Sequence, residues 1–351
     1  MATIAAFAKR LVEALALDQE PIKTAYASLD EVDVFVDAAR DAVFGYLACP
    51  TALSTNARLL EGDKELPRDS WSFSRIGHGQ VIHTELKNTI IDREILTGML
   101  LVVDSIDECD RTLMLLRESL EYKLRARAWI NAYVTANDRT NFGLHSDTHD
   151  TIIIQILGKK RWVVDSHGRG VLDENDMALA TYDLVAGDAL AMAGDTAHNV
   201  SGIGELTTHL TVGFDRSAAL PYHLNFVDEL LGRVPQPISA AEMAQGKANT
   251  RERRTGTSLP FLATGDLRDC RHVRWASRLP PLVSRTADGV TVVSSMGRQT
   301  TFAPSYCAAI DALLSGDQFS LDEFAAIANL TKPRLVQFLN DAVNNDLIIA
   351  S

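Results

Sequence analysis

The fold of this chain is decided by residues 144–157, which read LHSDTHDTIIIQIL. The first half of this stretch is polar and typical of turns, and the second half is an aliphatic run that predicts a buried β-strand. Alternate residues of an extended chain point to the same side. His145 and Asp147 can therefore converge on one ion where the chain enters a buried barrel, so the stretch predicts the start of a metal site.

A third candidate ligand, His198, follows a turn at 186–188, a short apolar strand and a second turn. Two histidines and one carboxylate leave three adjacent coordination positions open, which is typical of non-haem Fe(II) oxygenases. A His-x-Asp pair also arises by chance among nine histidines and 46 acidic residues. In that case 145–150 is a solvated turn and His198 a core histidine. The aliphatic strand and the tight turn that follow favour the metal.

Further motifs surround these residues between about 125 and 215. In chain order they are NAYVT at 131–135, HSDTHD at 145–150, Gln155, GKKRW at 158–162, AGD at 186–188, His198 and THLTVG at 208–213. In order and spacing they resemble the JmjC-type 2-oxoglutarate oxygenases, and within them the ribosomal oxygenase group of protein hydroxylases. The resemblance implies a double-stranded β-helix of the cupin type.

The resemblance also implies a role for each matched residue. His145, Asp147 and His198 would bind Fe(II), and Lys160 would hold the distal carboxylate of the cosubstrate 2-oxoglutarate. A buried carboxylate is costly to desolvate unless a cation meets it. Strand alternation places Lys160 opposite both of its neighbours, 159 and 161, and no structural partner for its charge is evident in the sequence. The alternative for Lys160 is a solvated turn lysine.

Three more residues match positions near the cosubstrate in the resembling family. Asn131 and Tyr133 would help to bind it, or they merely satisfy the barrel backbone. Thr211, on the last strand of the motif region, is a candidate for a hydroxyl contact. His149 lies two residues beyond Asp147, but the family pattern has no ligand there.

One segment departs from the family pattern. Relatives usually approach the distal histidine through aromatic residues after a proline-led turn. Here small residues stand in that approach, namely Ala186, Ala191, Ala193, Thr196 and Ala197. We expect a pocket that is wider or that another element fills. The ribosomal-protein substrate of the resembling family therefore cannot be assigned directly to this chain.

Composition narrows the class of protein. The 351 residues carry a formal net charge of −12, which argues against nucleic-acid binding because phosphate affinity needs clustered Lys and Arg. It is compatible with a basic protein or peptide partner. The four cysteines are scattered without metal-ligand spacing, which fits reduced thiols in the cytoplasm. No apolar run approaches the length of a membrane span, and the amphipathic start does not resemble a signal peptide.

The predicted fold class is mixed α+β, with three parts. Residues 1–215 form the JmjC/cupin catalytic domain with N-terminal helices, and 216–284 form a helical connector, a region that contributes to homodimer formation in the resembling family. Residues 285–351 predict a winged-helix-like domain. Six acidic residues against two basic ones between 305 and 351 favour a protein-contact or structural role over DNA binding.

Local signals predict several elements. Ser28 and Glu31 resemble a capping box at a helix start, and short apolar runs over 71–103 predict strands and turns. Asp288-Gly289 predicts a hairpin. Ser320 and Glu323 form a second capping box, at a helix starting at Leu321.

The predicted function is an Fe(II)-, 2-oxoglutarate- and O2-dependent oxygenase that hydroxylates a side chain of a protein or peptide, with ribosomal proteins as one candidate class. N-demethylation shares its first step. Another alternative is a tailoring hydroxylase of a peptide natural product or free amino acid. An alternative of another class is a non-catalytic, metal-stabilised cupin scaffold or regulatory binding protein. The intact triad and Lys160 oppose that class, since a scaffold needs neither.

Overall fold

A computed structural model describes residues 2–18, 22–29, 32–49, 56–76, 82–124, 126–136, 138, 142–165, 179–215, 258, 267, 270–277, 280–295 and 298–351. The chain divides into two compact units. The barrel unit comprises Ala6–Arg117 and Ala128–Asp215, and the C-terminal unit comprises Met1–Ala5, Glu118–Arg127 and Arg216–Ser351.

The described chain contains helices together with antiparallel sheets, as expected for the mixed α+β class. The α-helices are α1 (Ala2–Ala14), α2 (Asp33–Ala48), α3 (Arg68–Trp71), α4 (Asn88–Leu96), α5 (Arg111–Leu124), α6 (Cys307–Leu313), α7 (Leu321–Ala328) and α8 (Lys332–Asn344). Short 3-10 turns lie at Ile106–Glu108 and Pro304–Tyr306. No helix in the described ranges is both long enough and apolar enough to cross a membrane.

The strands of the barrel unit supply the scaffold of the site. They are β1 (Ala25–Ser28), β2 (Ala57–Glu61), β3 (Lys64–Glu65), β4 (Ser72–Ile76), β5 (Ile82–Leu86), β6 (Leu100–Val103), β7 (Arg127–Thr135), β8 (Asp150–Leu157), β9 (Lys159–Asp165), β10 (Leu179–Val185), β11 (Asp188–Met192), β12 (His198–Gly202) and β13 (Thr207–Asp215). Eight of them form one sheet in the order β1-β11-β8-β13-β7-β6-β2-β3, and three form a second sheet in the order β10-β9-β12.

The aliphatic run at the start of the motif region is the centre of the larger sheet. Strand β8 pairs antiparallel with β11 on one side and β13 on the other, and its residues from Thr151 to Ile156 are buried. In the smaller sheet, β9 lies between β10 and β12. The predicted buried strand is therefore confirmed, and the two antiparallel sheets agree with the predicted double-stranded β-helix.

Two glycines of the motifs permit close packing in the barrel. Gly158 turns the chain from β8 into β9 with φ +65°, and a Cβ there would lie 2.4 Å from the carbonyl oxygen of Leu206. A Cβ on Gly213 would lie 2.5 Å from the indole ring of Trp129. A side chain at either position would require the neighbouring backbone or ring to move.

We expect Gly213→Ala to lower the free energy of unfolding by about 1–3 kcal/mol, because overpacking a tightly filled interior forces side chains out of their rotamers. Gly45→Ala is the matched control, since Gly45 lies in α2 with nothing within 4 Å of the added Cβ. Alanine in an exposed helix is neutral or stabilising. Denaturant unfolding of both variants measures the difference, and equal stability of Gly213→Ala and the parent protein would contradict the packing argument.

One local prediction in the barrel unit is wrong, and another is wrong in part. Ser28 does not begin a helix but ends β1, where it pairs with Asp188 of β11. Pairing of Ser28 with the sheet outweighs the local capping signal. Helix α2 therefore begins later, at Asp33, and has no side-chain cap. Over 71–103, where the sequence predicted strands and turns, β4, β5 and β6 confirm the strands, but the helix α4 between them was not predicted. Its buried Ile91 and Ile95 are spaced for one helix face.

The C-terminal unit contains two small sheets. Their strands are β14 (His272–Trp275), β15 (Leu282–Arg285), β16 (Thr291–Ser295), β17 (Arg298–Phe302), β18 (Phe319–Ser320) and β19 (Ile348–Ala350). Sheet orders are β18-β14-β19 and β15-β16-β17. Val273 and Trp275 pack with Phe324 and Phe338 in one hydrophobic core.

Two local predictions in this unit are confirmed. Gly289 takes φ +82° in the hairpin between β15 and β16, and the reciprocal hydrogen bonds between Ser320 and Glu323 form a capping box at α7. Strand β14 and the first three residues of β15 lie inside the predicted helical connector 216–284. The helical prediction is wrong there, because β14 pairs with the last strand of the chain and β15 pairs with β16. The helices predicted at 221–231 and 239–245 lie outside the described residues. The division into three domains and the winged-helix identity of 285–351 stay predictions.

Candidate metal centre and adjoining pocket

The two candidate histidine ligands face each other across an antiparallel bridge. The backbone N–H of His145 donates to the carbonyl oxygen of His198 at 3.0 Å, and the reverse hydrogen bond measures 2.7 Å. The ring centroids lie 4.3 Å apart. Residues that are far apart in sequence are thus held side by side by the backbone alone.

Hydrogen bonds orient both imidazole rings. The Nδ1 of His145 lies 3.0 Å from the carbonyl oxygen of Gly143, and the Nδ1 of His198 lies 2.9 Å from that of Thr196. In the tautomer that donates Nδ1–H to these carbonyls, the lone pair of each ring is on Nε2. This is the arrangement by which outer hydrogen bonds orient histidine ligands of metals.

The carboxylate of Asp147 completes the cluster. One ligand atom from each of His145, Asp147 and His198 lies within 4.8 Å of the others, and Asp147 Oδ2 is 3.9 Å from His198 Nε2. Burial lowers the pKa of His198, which favours the neutral form that a metal requires. Two nitrogens and one oxygen, without a thiolate, suit Fe(II). The residues present therefore fit the metal that the sequence predicts.

The two turns that carry the ligands are joined directly. The backbone N–H of Asp195 donates to the carbonyl oxygen of Asp147 at 2.6 Å, and that of Gly194 donates to Asp150 Oδ1 at 2.9 Å. A Cβ on Gly194 would lie 3.1 Å from the carbonyl oxygen of Thr148. The turn before His198 thereby fixes the loop that presents Asp147.

A cavity of about 220 Å³ adjoins the triad. Six side chains besides the three candidate ligands define its chemistry, namely Arg58, Tyr133, Lys160, Trp162, His209 and Thr211. The sequence predicted Tyr133, Lys160 and Thr211 for this place, and the structure brings all three to the cavity that the triad lines.

Lys160 is the buried cation of this pocket. It is only 2% exposed, whereas Lys159 and Arg161 bind Asp183 on the opposite face at 3.3 and 2.7 Å. The predicted alternation along β9 is therefore confirmed. Burial lowers the pKa of Lys160 to about 7.

His209 is the partner that the sequence prediction missed. Its Nδ1 lies 2.7 Å from the Nζ of Lys160, which also donates to the carbonyl oxygen of Tyr133 at 3.4 Å. Burial, followed by the charge of Lys160, holds the pKa of His209 well below its usual range. The expectation that Lys160 has no structural partner is wrong, and the available signal was that His209 and Thr211 lie two apart and share one face of a strand.

The structure places Asn131 and Tyr133 differently. Asn131 Oδ1 accepts a hydrogen bond of 2.9 Å from the backbone N–H of Ser105. The backbone of Ser105 is in the left-handed region, with φ 51°. Asn131 is not among the described residues that line the cavity. Besides supporting the backbone, its side chain hydrogen-bonds that of Tyr133, which does line it, and the cosubstrate role of Asn131 stays a prediction. Tyr133 lines the cavity, and burial raises its pKa to about 12. His149 packs on Trp129 with ring centroids 4.7 Å apart.

Arg58 is a further pocket residue without a sequence signal. It lies on β2, and its Nε and Nη2 donate to the two carboxylate oxygens of Asp104 at 2.6 and 2.8 Å. This two-point pairing fixes a guanidinium group in the wall of the cavity. Its position follows only from the pairing of β2 with β6.

The small residues before His198 do not widen the pocket. Ala191 is fully buried, Thr196 and Ala197 are 1% exposed, and none of the five is among the described cavity residues. Strand β1 pairs with β11 at the edge of the same sheet, with Ala25 opposite Ala191. The expectation of a wider pocket is therefore not supported, and filling by another element stays a prediction.

The comparisons with known proteins support the same fold. The family model of the JmjC domain matches residues 111–221, which confirms the predicted resemblance for this part of the chain. The X-ray structure of Escherichia coli YcfD is similar at a TM-score of 0.50 and 15% identity, covering 93% of this chain and 95% of that one. At this identity the likeness shows the fold, which is that of a JmjC/cupin protein.

Other solved structures are less similar. Escherichia coli YcfD, a ribosomal oxygenase, in complex with cobalt and 2-oxoglutarate has a TM-score of 0.49 and 15% identity, covering 93% of this chain and 94% of that one. A cupin superfamily protein of Desulfitobacterium hafniense has a TM-score of 0.20 and 17% identity over 25% of this chain and 66% of that one. The search of curated proteins gave no match.

Proposed function

We propose that this protein is an Fe(II)- and 2-oxoglutarate-dependent oxygenase that hydroxylates a side chain of a protein or peptide. One observation carries the proposal: the triad of His145, Asp147 and His198 and the buried Lys160 line the same cavity. A metal that only stabilised a scaffold would need no buried cation beside it, because burying an ammonium group is costly.

Each pocket residue then has a defined task. His145, Asp147 and His198 would hold Fe(II), and the remaining coordination positions would admit the keto-acid end of 2-oxoglutarate and O2. The bound iron supplies the oxidising chemistry, in which one oxygen atom goes to the substrate C–H bond and the other to succinate as CO2 leaves. Lys160 meets the distal carboxylate, and the aromatic walls formed by Tyr133 and Trp162 exclude water.

Consumption of 2-oxoglutarate separates this proposal from a metal-stabilised scaffold. We expect succinate formation that requires Fe(II) and O2, measured by NMR on the purified protein with candidate peptides. Metal binding without any cosubstrate binding would instead support the scaffold.

Net charge and the likeness to a named protein support the proposed substrate class. A net charge of −12 favours a basic protein or peptide, and YcfD, which shares the fold, is named a ribosomal oxygenase. The test is a mass-spectrometric search for peptides that gain one oxygen atom in cells with the gene and not in cells without it. Modified ribosomal proteins would support that class, whereas modification confined to a free amino acid or a peptide natural product would favour a tailoring hydroxylase.

The proposal includes a homodimer, with 216–284 as the contact region and a winged-helix-like domain at 285–351 that contacts protein. The excess of acidic residues in the last segment supports a protein contact over a DNA contact. One chain has a mass of 38.4 kDa, and we expect light scattering of the full chain to give twice that value. A mass of one chain across the working concentration range would contradict the dimer.

The affinity for 2-oxoglutarate is expected to fall at alkaline pH. Lys160 has a pKa of about 7 in the cosubstrate-free protein, and only its protonated form attracts the carboxylate. Lys160 hydrogen-bonds Tyr133 from β7 and His209 from β13. The other titratable side chains that line the cavity are Arg58, His145, Asp147 and His198. The strand partners of Lys160, Leu184 and Gly202, are uncharged.

Below pH 7 the affinity should therefore change little with pH. Above pH 7 the dissociation constant should rise by about tenfold per pH unit, because binding then takes up one proton. Anaerobic titration of the Fe(II) protein at pH 6 to 9 measures this. Lys160→Met is the control, since it removes the titrating group and should remove the pH dependence with it. A flat profile for the parent protein would contradict the assignment of Lys160.

A further inference from the structure

His209 is built into the pocket wall as a fixed acceptor. It lies on β13, is 2% exposed, and places Nδ1 2.7 Å from the Nζ of Lys160. Both groups are buried in the same cavity. At this distance the ammonium group of Lys160 donates a hydrogen bond to the Nδ1 of neutral His209. The position of Nδ1 therefore determines the direction in which the ammonium group points.

Aromatic contacts hold the imidazole ring in one orientation. The ring stacks on Tyr133 with centroids 4.8 Å apart and planes 2° apart, and Trp162 meets it edge-on at 5.2 Å and 81°. Tyr133 also offers its carbonyl oxygen to Lys160. The ring therefore cannot turn away without displacing the aromatic walls.

The backbone at His209 is fixed as well. His209 pairs with Gln155 of β8, and the pairing register shifts between Thr208 and His209. The side-chain amide of Gln155 donates through Nε2 to the carbonyl oxygen of Leu157 and to Thr207 Oγ1, both at 2.7 Å. A β-bulge secured in this way re-aims the side chains beside it.

The chemistry of the pair leaves donors for a ligand. An ammonium group has three N–H donors and no acceptor, so neutral His209 accepts one of them through Nδ1. The carbonyl oxygen of Tyr133 takes a second, longer contact. Lysine has a long, freely rotating stem, and a fixed acceptor restricts it to one direction before any ligand arrives.

We propose that His209 is a positioning residue that holds the Lys160 ammonium group towards the distal carboxylate of 2-oxoglutarate. The inference rests on the proposed function and deepens it at the same site. His209 acts through Lys160, and its loss weakens cosubstrate binding without removing a ligand of the metal.

The test compares variants that differ in the position of the acceptor. His209→Leu removes it, His209→Asn keeps an oxygen near the place of Nδ1, and His209→Gln moves the oxygen towards the place of Nε2. Anaerobic titration of the Fe(II) protein with 2-oxoglutarate, followed by the metal-to-ligand absorption, gives the dissociation constants. We expect an increase of about ten- to a hundredfold for Leu and Gln, as for loss of a hydrogen bond to a charged group, and recovery of most of the affinity for Asn.

A second probe separates positioning from packing. 2-Oxobutyrate chelates iron in the same way but lacks the distal carboxylate, so its affinity should be the same in the parent protein and in His209→Leu. Iron content should also be unchanged. Should His209→Leu fail to fold, the contrast between the Asn and Gln variants still decides the question.

The outcomes are distinguishable from failure of the proposed function. If Lys160→Met loses affinity while His209→Leu does not, the positioning role is overturned and the proposed function stands. Equal losses for the Leu, Asn and Gln variants, or a loss that extends to 2-oxobutyrate, also overturn it, because His209 would then act through packing. If Lys160→Met keeps parental affinity, the proposed cosubstrate site itself fails, and with it the inference.

Discussion

Replacing Asp147 by alanine is expected to abolish both iron retention and succinate formation. Asp147 supplies the oxygen donor of the triad, within 4.8 Å of both histidine ligand atoms. Without it, two imidazoles remain, and the protein offers the positive ion no anionic ligand from the triad. Loss of even an outer-shell partner typically costs 10- to 100-fold in metal affinity or activity, and we expect a larger loss for a ligand.

Iron content after purification and succinate yield by NMR measure the two effects together. Asp195→Asn is the matched control, because it removes a carboxylate from the adjoining turn and keeps the backbone N–H that bonds to Asp147. The control should retain both properties. Full turnover in Asp147→Ala would contradict the assignment of the triad as the ligands of the metal.

Replacing Lys160 by methionine is expected to raise the dissociation constant of 2-oxoglutarate by about a hundred- to several thousandfold. Losing one member of a buried charge pair costs about 3–5 kcal/mol, and no second cation in the described part of the pocket shares the burial of Lys160. Methionine keeps most of the side-chain volume. Lys160→Ala should show the same loss of affinity but also leaves a cavity, and both variants remove the Lys160 donor from His209 Nδ1.

Iron content and folding should stay near normal in Lys160→Met, because the side chain is not a metal ligand and no unpaired charge is left behind. Arg161→Met is the matched control, since Arg161 is the next residue on the strand and binds Asp183 on the exposed face. Parental affinity in Lys160→Met, with a loss in Arg161→Met, would mean that Arg161 holds the cosubstrate.

The parts of the structure that sequence predicted best depend on short-range geometry. The convergence of His145 and Asp147, the burial of Lys160 on its strand and the capping box of Ser320 at its helix each follow from the spacing of residues two or three apart. These rules act over two to four residues, so the surrounding fold has little power to change them.

The parts that sequence missed depend on contacts between distant segments. Nothing near Arg58 indicates that β2 lies beside β6, and nothing near Ser28 indicates that it pairs with Asp188. His209 could have been predicted as a pocket residue, because it lies in one of the matched motifs. Its contact with Lys160 could not, because it depends on β13 and β9 lining one cavity.

The most direct test of the central claim is anaerobic addition of 2-oxoglutarate to the Fe(II)-loaded protein. The account predicts a visible metal-to-ligand absorption band that saturates at one equivalent per chain and is lost in Asp147→Ala. In Lys160→Met the band should appear only at much higher concentration. An iron-loaded protein that gives no band at any concentration of 2-oxoglutarate would contradict the claim that this pocket binds the cosubstrate at the metal.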